Sequence, residues 1–126
     1  MARILIVEDE IAQRNYLATL LRHHGFEPIA AEDPRSILDL VEEIQPDLIL
    51  LDVVLPGLSG LGAAELIRSN PKMAKLPIIC MSGHQIRKDE LDRSGVTDFL
   101  EKPFRGDRLI DAIRHALAAG HPSPPN

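Results

Sequence analysis

The chain has 126 residues, enough for one domain with a single hydrophobic core. Its formal net charge of −5 argues against general nucleic-acid binding, because that function needs a basic surface. The only cysteine, Cys80, excludes an internal disulfide and lies in an apolar run typical of a buried, unreactive thiol. The N-terminal segment turns acidic after a few apolar residues, which indicates neither a signal peptide nor a membrane span. We therefore predict a soluble, cytoplasmic domain.

Short apolar runs alternate with amphipathic stretches in the first part of the chain. Ile4–Val7 predicts a first strand, and a helix is expected over residues 10–24. The apolar face of that helix contains Ile11, Leu17, Ala18 and Leu21, and it is interrupted by Arg14. Residues 26–30 predict a weak second strand. Pro28 within it indicates the edge of a sheet, because proline cannot donate to a strand ladder.

The clearest helix is expected to open at Asp33-Pro34, an acidic N-cap followed by proline in the first turn. Its apolar stripe has the spacing i, i+3, i+4, i+7 and consists of Ile37, Leu40, Val41 and Ile44. Pro46 ends the helix, and the strand Leu48–Leu51 follows. This run is hydrophobic without alternation, which predicts a central strand that is covered on both faces.

The alternation continues to the last helix. The remaining elements are predicted over residues 61–69 (helix), 78–81 (strand), 86–94 (polar helix), 99–100 (strand) and 109–117 (helix). Five strands in strict alternation with five helices predict an α/β fold with a doubly wound parallel sheet, flavodoxin-like, in the strand order 2-1-3-4-5. That order places the strand with Pro28 at an edge, as its composition requires.

Polar side chains follow four of the five predicted strands. Glu8 and Asp9 come after the first strand, Asp52 after the third, Ser82 after the fourth and Lys102 after the fifth. In an open parallel sheet, ligands bind beyond the carboxyl ends of the strands, near the point where the strand order reverses. We therefore expect these five side chains to line one crevice.

Three neighbouring carboxylates repel one another unless a cation is present. Mg²⁺ suits this set, because it binds a few carboxylates, keeps several waters and shares its coordination sphere with phosphoryl oxygens. Lys102 and Ser82 could each donate a hydrogen bond to the same phosphoryl group. A carboxylate can act as the nucleophile in such a site. The residues therefore predict a magnesium-assisted aspartyl phosphate on Asp52.

With these residues in place, the chain resembles the response-regulator receiver domains of two-component signalling (CheY-like). The resemblance rests on four motifs in order, ILIVEDE, DVVLPGLSG, CMSG and FLEKPF, and covers about Arg3 to Leu117. It implies a receiver domain over residues 1–119. The Pro-rich composition of residues 120–126 predicts a disordered tail.

The resemblance implies a role for each acid of the crevice. Asp52 would accept the phosphoryl group. Asp9 and Asp52 would ligate Mg²⁺ together with the backbone carbonyl of Val54, and Glu8 would assist through water. Many family members have aspartate where this chain has Glu8, and Val54 offers no polar side chain.

The resemblance also implies a switch. Lys102 would contact the phosphoryl group, with a cis peptide bond to Pro103. Ser82 would move toward the phosphoryl group on activation, and Phe99 would rotate inward with it. A purely structural role for Phe99 in the core remains an alternative of similar weight.

The implied function is that of a switch in a phosphorelay, which catalyses only its own phosphorylation and dephosphorylation. The donor would be a phosphohistidine on a histidine kinase or histidine phosphotransfer protein, recognised around the first helix at Arg14 and Asn15. A downstream protein target would bind the surface of the fourth helix, fifth strand and fifth helix, where a homodimer could also form. We predict no direct contact with nucleic acid or membrane.

Other functions fit parts of the pattern. A magnesium phosphohydrolase with an aspartate nucleophile commonly has a second acid two residues later, and here that position is Val54. A cofactor module of the flavodoxin type would need hydroxyls or amides where Glu8 and Asp9 stand. A receiver that no longer takes phosphate, and binds partners constitutively, is the remaining alternative.

Overall fold

A computed structural model describes residues 1–31, 36–55 and 58–120 of the chain. The predicted N-cap pair, Asp33 and Pro34, lies outside the described residues, as do residues 121–126 of the predicted tail. Every helix within the described ranges is too short or too polar to cross a lipid bilayer. The cytoplasmic location stays a prediction.

The centre of the fold is a five-stranded parallel sheet. Its strands are β1 (Arg3–Val7), β2 (Glu27–Ala31), β3 (Leu48–Asp52), β4 (Ile78–Ser82) and β5 (Asp98–Glu101). They are arranged in the order β2-β1-β3-β4-β5, all parallel, which confirms the predicted sheet. A separate two-residue hairpin, Val54–Leu55 paired with Leu58–Ser59, follows β3 and was not predicted.

The described residues contain five α-helices, as predicted, of which four connect strands and the last follows β5. They are α1 (Ile11–His23), α2 (Ile37–Ile44), α3 (Gly60–Ser69), α4 (Lys88–Ser94) and α5 (Gly106–Gly120). A short 3-10 helix, Pro71–Met73, follows α3. Helices α1 and α5 contribute to a core cluster on one face of the sheet, and α2 and α3 contribute to a second cluster on the other face.

The burial of single residues follows most of the predicted pattern, although Leu40 of the α2 stripe is only partly buried. All five residues of β3 are buried, as expected for the central strand, and β2 with Pro28 lies at the edge. In α1, the side chains of Leu17, Ala18 and Leu21 are buried. Ile11 is 63% exposed, so its predicted burial is wrong. It opens the helix next to the end of β1, where little of the sheet is left to cover it.

The register of the sheet brings the ends of the strands to one edge. Val7 of β1 is level with Leu51 of β3, Asp52 is level with Met81 of β4, and Ser82 is level with Glu101 of β5. The polar residues that end or follow these strands are therefore neighbours in space, although up to 94 residues separate them along the chain.

Candidate functional site

Three carboxylates meet at this edge. Glu8, Asp9 and Asp52 each offer an oxygen atom, and these atoms lie within 4.8 Å of one another. Glu8 and Asp52 are buried, with relative exposures of 1% and 6%, whereas Asp9 is exposed. The predicted convergence of the three acids is confirmed. Because all donors are carboxylate oxygens and one of them faces solvent, the cluster fits a hard divalent cation such as Mg²⁺.

Lys102 bridges the two buried acids. Its ammonium Nζ donates to Asp52 Oδ2 at 2.9 Å and to Glu8 Oε1 at 3.2 Å. Its backbone N–H donates to the carbonyl of Ser82 at 2.7 Å, which holds the loop after β5 against the end of β4. The Lys102–Pro103 peptide bond is cis, as the resemblance implies. The lysine therefore lies where one cation can neutralise part of the charge of the acids.

The surroundings of these groups shift their proton affinities. Burial raises the pKa of Glu8, and the hydrogen bond and negative charge of Asp52 raise it further, to about 7, against the opposing effect of Lys102. Burial by itself lowers the pKa of Lys102, but its hydrogen bonds and charge interactions with Asp52 and Glu8 outweigh that, and the net pKa is raised. Lys102 is therefore charged at neutral pH, whereas Glu8 readily binds a proton there.

Backbone contacts hold the Asp52 carboxylate in place. The N–H of Val54 donates to Asp52 Oδ1 at 3.0 Å. The N–H of Val53 donates to the Met81 carbonyl at 2.9 Å, and its own carbonyl accepts from the N–H of Gly60 at 2.7 Å. The main chain of this segment is thus bonded both to β4 and to the start of α3, and the Asp52 carboxylate is bonded to the N–H of Val54.

Gly60 makes the close approach of α3 to this segment feasible. A Cβ at this position would overlap the backbone carbonyl oxygen of Asp52 and would lie 2.7 Å from the Cα of Val53. The Oγ of Ser59 accepts from the N–H of Gly62 at 3.0 Å, so Ser59 caps α3. The sequence did not predict that Gly60 allows this close approach. The one indication in the sequence is that a glycine directly follows Ser59, the N-cap residue of α3.

Ser82 is buried beside the acids but bonds to its own loop. Its hydroxyl donates to the carbonyl of His84 at 3.2 Å and accepts from the N–H of His84 at 3.0 Å. Phe99 is partly buried and packs on the core cluster shared with α2 and α3. The structure therefore places Ser82 at the end of β4 beside Asp52 and Phe99 on the core, and their movements stay predictions.

Arg14 contacts the acidic loop from α1. Its Nη1 donates to the backbone carbonyl of Glu8 at 2.9 Å, with a longer contact of 3.5 Å to the carbonyl of Asp9. The interruption that Arg14 makes in the apolar face of α1 therefore has a physical reason, because the side chain supports the loop that carries two of the acids. Asn15, the other residue predicted to recognise a donor, is exposed next to it.

A cleft opens beside the acids, between α1 and the loop after β5. It has a volume of about 450 Å³ and is lined by Gln13, Tyr16, Lys102, Pro103 and Phe104. Apolar side chains are unusually exposed around the acidic pocket, with Tyr16 at 50%, Val54 at 59% and Ile11 at 63%. Exposed apolar groups next to a charged pocket are typical of a protein-binding surface.

The fold and this group of residues are those of a known family. The sequence model of the response regulator receiver domain matches residues 4–114 of the chain. The chain therefore belongs to the response-regulator receiver family, as the resemblance indicated.

Similar proteins are signalling regulators. The chain is 32% identical over 120 residues to the protein PilH of Pseudomonas aeruginosa, with 94% of this chain and 99% of PilH covered. It is 37% identical over 120 residues to the phosphate regulon transcriptional regulatory protein PhoB of Klebsiella pneumoniae, covering 91% of this chain. The chain spans about half the length of PhoB, because 51% of that relative is matched.

Solved structures show the same fold. A putative response regulator from Chloroflexus aurantiacus superposes with a TM-score of 0.87 at 29% identity, covering 93% of this chain and 98% of that one. The chemotaxis protein CheY4 of Vibrio cholerae superposes with a TM-score of 0.86 at 27% identity, covering 92% and 98% respectively. The flavodoxin-like, CheY-like architecture is thereby confirmed.

Proposed function

We propose that this receiver is a phosphorylation-dependent signalling switch that accepts a phosphoryl group from a phosphohistidine onto Asp52. The observation that carries the proposal is the buried Asp52 carboxylate, bonded by Lys102 at 2.9 Å and clustered with Glu8 and Asp9. A carboxylate held in this way is oriented and surrounded by groups that complement a phosphoryl group.

In the proposed reaction, a carboxylate oxygen of Asp52 attacks phosphorus. The new O–P bond forms as the P–N bond to the donor imidazole breaks, and the electron pair of that bond leaves with the imidazole nitrogen. The N–H of Val54 holds Oδ1 of Asp52 and fixes the plane of the carboxylate. Lys102 Nζ, already 2.9 Å from Oδ2, then donates to a phosphoryl oxygen.

A divalent cation completes the proposed site. Asp9 and Asp52 would ligate Mg²⁺ together with the backbone carbonyl of Val54, and Glu8 would assist through water. When bound, Mg²⁺ would neutralise the charge that accumulates between the carboxylates and the phosphoryl oxygens. Lys102 contacts both Glu8 and Asp52, which holds these two acids of the site close together.

The partners follow from the surfaces around the site. The donor, a histidine kinase or histidine phosphotransfer protein, is proposed to bind at the exposed Ile11, Tyr16 and Val54, beside Arg14 and Asn15. Ser82 and Phe99 are proposed to reset the surface of α4, β5 and α5 for a downstream protein, or for a second copy of the chain. We assign no direct contact with nucleic acid or membrane, and a cytoplasmic location.

The test is an intact-mass measurement after incubation with acetyl phosphate and MgCl₂. The wild-type chain should gain the mass of one phosphoryl group, and chelation of Mg²⁺ with EDTA should prevent this. Asp52→Asn should gain none, whereas Asp111→Asn, which changes an exposed acid on α5, should behave like the wild type. A wild-type chain that gains no mass, or an unchanged gain in Asp52→Asn, would overturn the proposal.

A further inference from the structure

Arg68, in the last turn of α3, joins three separate segments. Its Nε donates to the carbonyl of Gly95 at 2.7 Å, just after α4. Nη1 donates to the carbonyl of Met73 at 3.1 Å, and Nη2 lies 3.5 Å from the hydroxyl oxygen of Thr97, which leads into β5. The side chain is half-buried, and no carboxylate among the described residues pairs with it. We name this set of contacts the Arg68 clasp.

The segment that Arg68 holds is itself rigid. Gly95 has a positive φ of 76°, and a Cβ there would lie 2.6 Å from Cγ of Arg68. The hydroxyl of Thr97 accepts from the N–H of Ile78 at 3.0 Å, and the N–H of Thr97 donates to the Ile78 carbonyl at 2.7 Å. The turn between α4 and β5 is therefore fixed both to α3 and to the start of β4.

The two ends of α4 are attached differently. At its last turn Ser94 is fully buried and donates from its hydroxyl to the carbonyl of Leu91 at 2.6 Å. At its start, Arg87 forms no side-chain cap, and its guanidinium pairs with two acids of the same helix, the exposed Asp89 and the partly exposed Glu90. The segment that leads from Ser82 to α4 is mostly exposed.

A cleft lies between side chains of α3 and α4. It has a volume of about 230 Å³ and is lined by Ser59, Leu61, Gly62, Glu65, Glu90 and Arg93. Ser59 and Gly62 belong to the start of α3, next to Asp52, whereas the Arg68 clasp lies at the other end of that helix. Arg68 therefore fastens the end of α3 that is remote from Asp52 to the turn that follows α4.

We propose that Arg68 is a positioning residue that fixes the Gly95 end of α4, so that α4 pivots about this end when the acceptor site changes state. The start of α4 then moves with the Ser82 loop, and the α3–α4 cleft changes width. This inference rests on the proposed function, because phosphorylation supplies the change of state. Because the Arg68 clasp fixes one end of α4, a movement of Ser82 at the other end tilts the helix and does not shift all of it.

The test measures two distances in the full chain with spin labels on introduced cysteines, because Cys80 is buried and escapes labelling. Glu65→Cys with Lys88→Cys reports on the site end of the cleft, and Ser69→Cys with Asp92→Cys reports on the clasp end. All four positions are exposed. With acetyl phosphate and MgCl₂, we expect the first distance to change by about 2 Å and the second to stay constant.

The variants Arg68→Met and Arg68→Lys test the clasp itself. Arg68→Met should make the clasp-end distance respond to phosphorylation, with an unchanged rate of phosphoryl uptake, and Arg68→Lys should give a smaller response. Arg114→Met, at an exposed arginine of α5, is the matched control and should leave the distances of the wild type unchanged. A structural role alone would alter thermal stability but not the state dependence of the clasp-end distance.

Intact masses of the same samples separate the two proposals. The proposed pivot is wrong if the chain gains the phosphoryl mass and the site-end and clasp-end distances change equally, or if neither changes. This comparison uses chains with Arg68 in place, so it does not depend on the folding of the Arg68 variants. An Arg68→Met chain that folds and keeps a constant clasp-end distance on phosphorylation would also overturn it. Absence of added mass would overturn the proposed function, and the pivot with it.

Discussion

Lys102 and Asp52 are 50 residues apart along the chain, and their side chains are joined by a hydrogen-bonded ion pair of 2.9 Å. The same ammonium reaches Glu8 at 3.2 Å. One lysine therefore restrains both buried acids. Its positive charge competes with a divalent cation for these acids, whereas its N–H groups can donate to a phosphoryl group. Its removal is expected to affect metal binding and phosphoryl transfer in opposite directions.

We predict that Lys102→Gln slows phosphoryl uptake from acetyl phosphate about 100-fold, because one preorganised donor to the phosphoryl oxygens is lost. The affinity for Mg²⁺ should rise about tenfold, because a competing positive charge is removed from the acids. Intact mass against time and calorimetric titration measure the two effects. Lys75→Gln, at an exposed lysine, is the control. A variant in which both quantities fall together would show that Lys102 acts mainly through the structure.

The exposed acid of the cluster should affect metal binding without affecting the fold. Asp9→Asn removes one carboxylate of the three, so Mg²⁺ affinity should fall about tenfold or more. The free energy of unfolding should change by less than about 0.5 kcal/mol, because Asp9 is exposed. Glu10→Gln removes the neighbouring exposed acid and should leave Mg²⁺ affinity almost unchanged. Equal losses in the two variants would indicate a diffuse charge effect rather than ligation.

Gly60→Ala should destabilise the chain, because the added Cβ would overlap the main chain at Asp52. We expect a loss of about 1–3 kcal/mol in the free energy of unfolding, the usual cost of overpacking. Gly83→Ala is the matched control, because a Cβ there meets nothing within 4 Å. Denaturant titrations compare the two. Equal stabilities of the variants would mean that the start of α3 can shift away from Asp52 without cost.

Cys80 should be chemically silent in the folded chain. Burial, with a smaller contribution from the charge of Asp52, raises the pKa of its thiol to about 12. A raised pKa keeps the thiol protonated below that pH, so almost no reactive thiolate exists at pH 8. A disulfide reagent should therefore react with Cys80 only after unfolding in guanidinium chloride. Ser69→Cys adds an exposed thiol and should react at once. Rapid reaction of Cys80 in the native chain would contradict its burial.

Much of the fold follows from local patterns. The unbroken apolar run Leu48–Leu51 could belong only to a covered central strand, and Pro28 could not donate within a ladder, so these two features determined much of the strand order. The acids could be placed together for the same reason, because parallel strands present their carboxyl ends at one edge. Ile11 was misplaced because helical periodicity does not tell where the sheet below a helix ends.

Other features depend on distances that no sequence pattern encodes. The shared edge of the strands predicts that Lys102 and Glu8 are neighbours, but not that their side chains bond at 3.2 Å. The bonds of Ser82 to the main chain of His84, and those of Arg68 to Gly95, use carbonyl and N–H groups that every residue has. Such contacts cannot be predicted from the residue types and are seen only in the three-dimensional structure.

The most direct test of the account is the location of the phosphoryl group within the chain. Acyl phosphates are reduced by borohydride, so an aspartyl phosphate becomes homoserine, which tandem mass spectrometry can assign to one position. After incubation with acetyl phosphate and MgCl₂, we predict homoserine at position 52 alone. Homoserine at Asp9 or another acid, or a phosphoryl group that borohydride does not remove, would contradict the account.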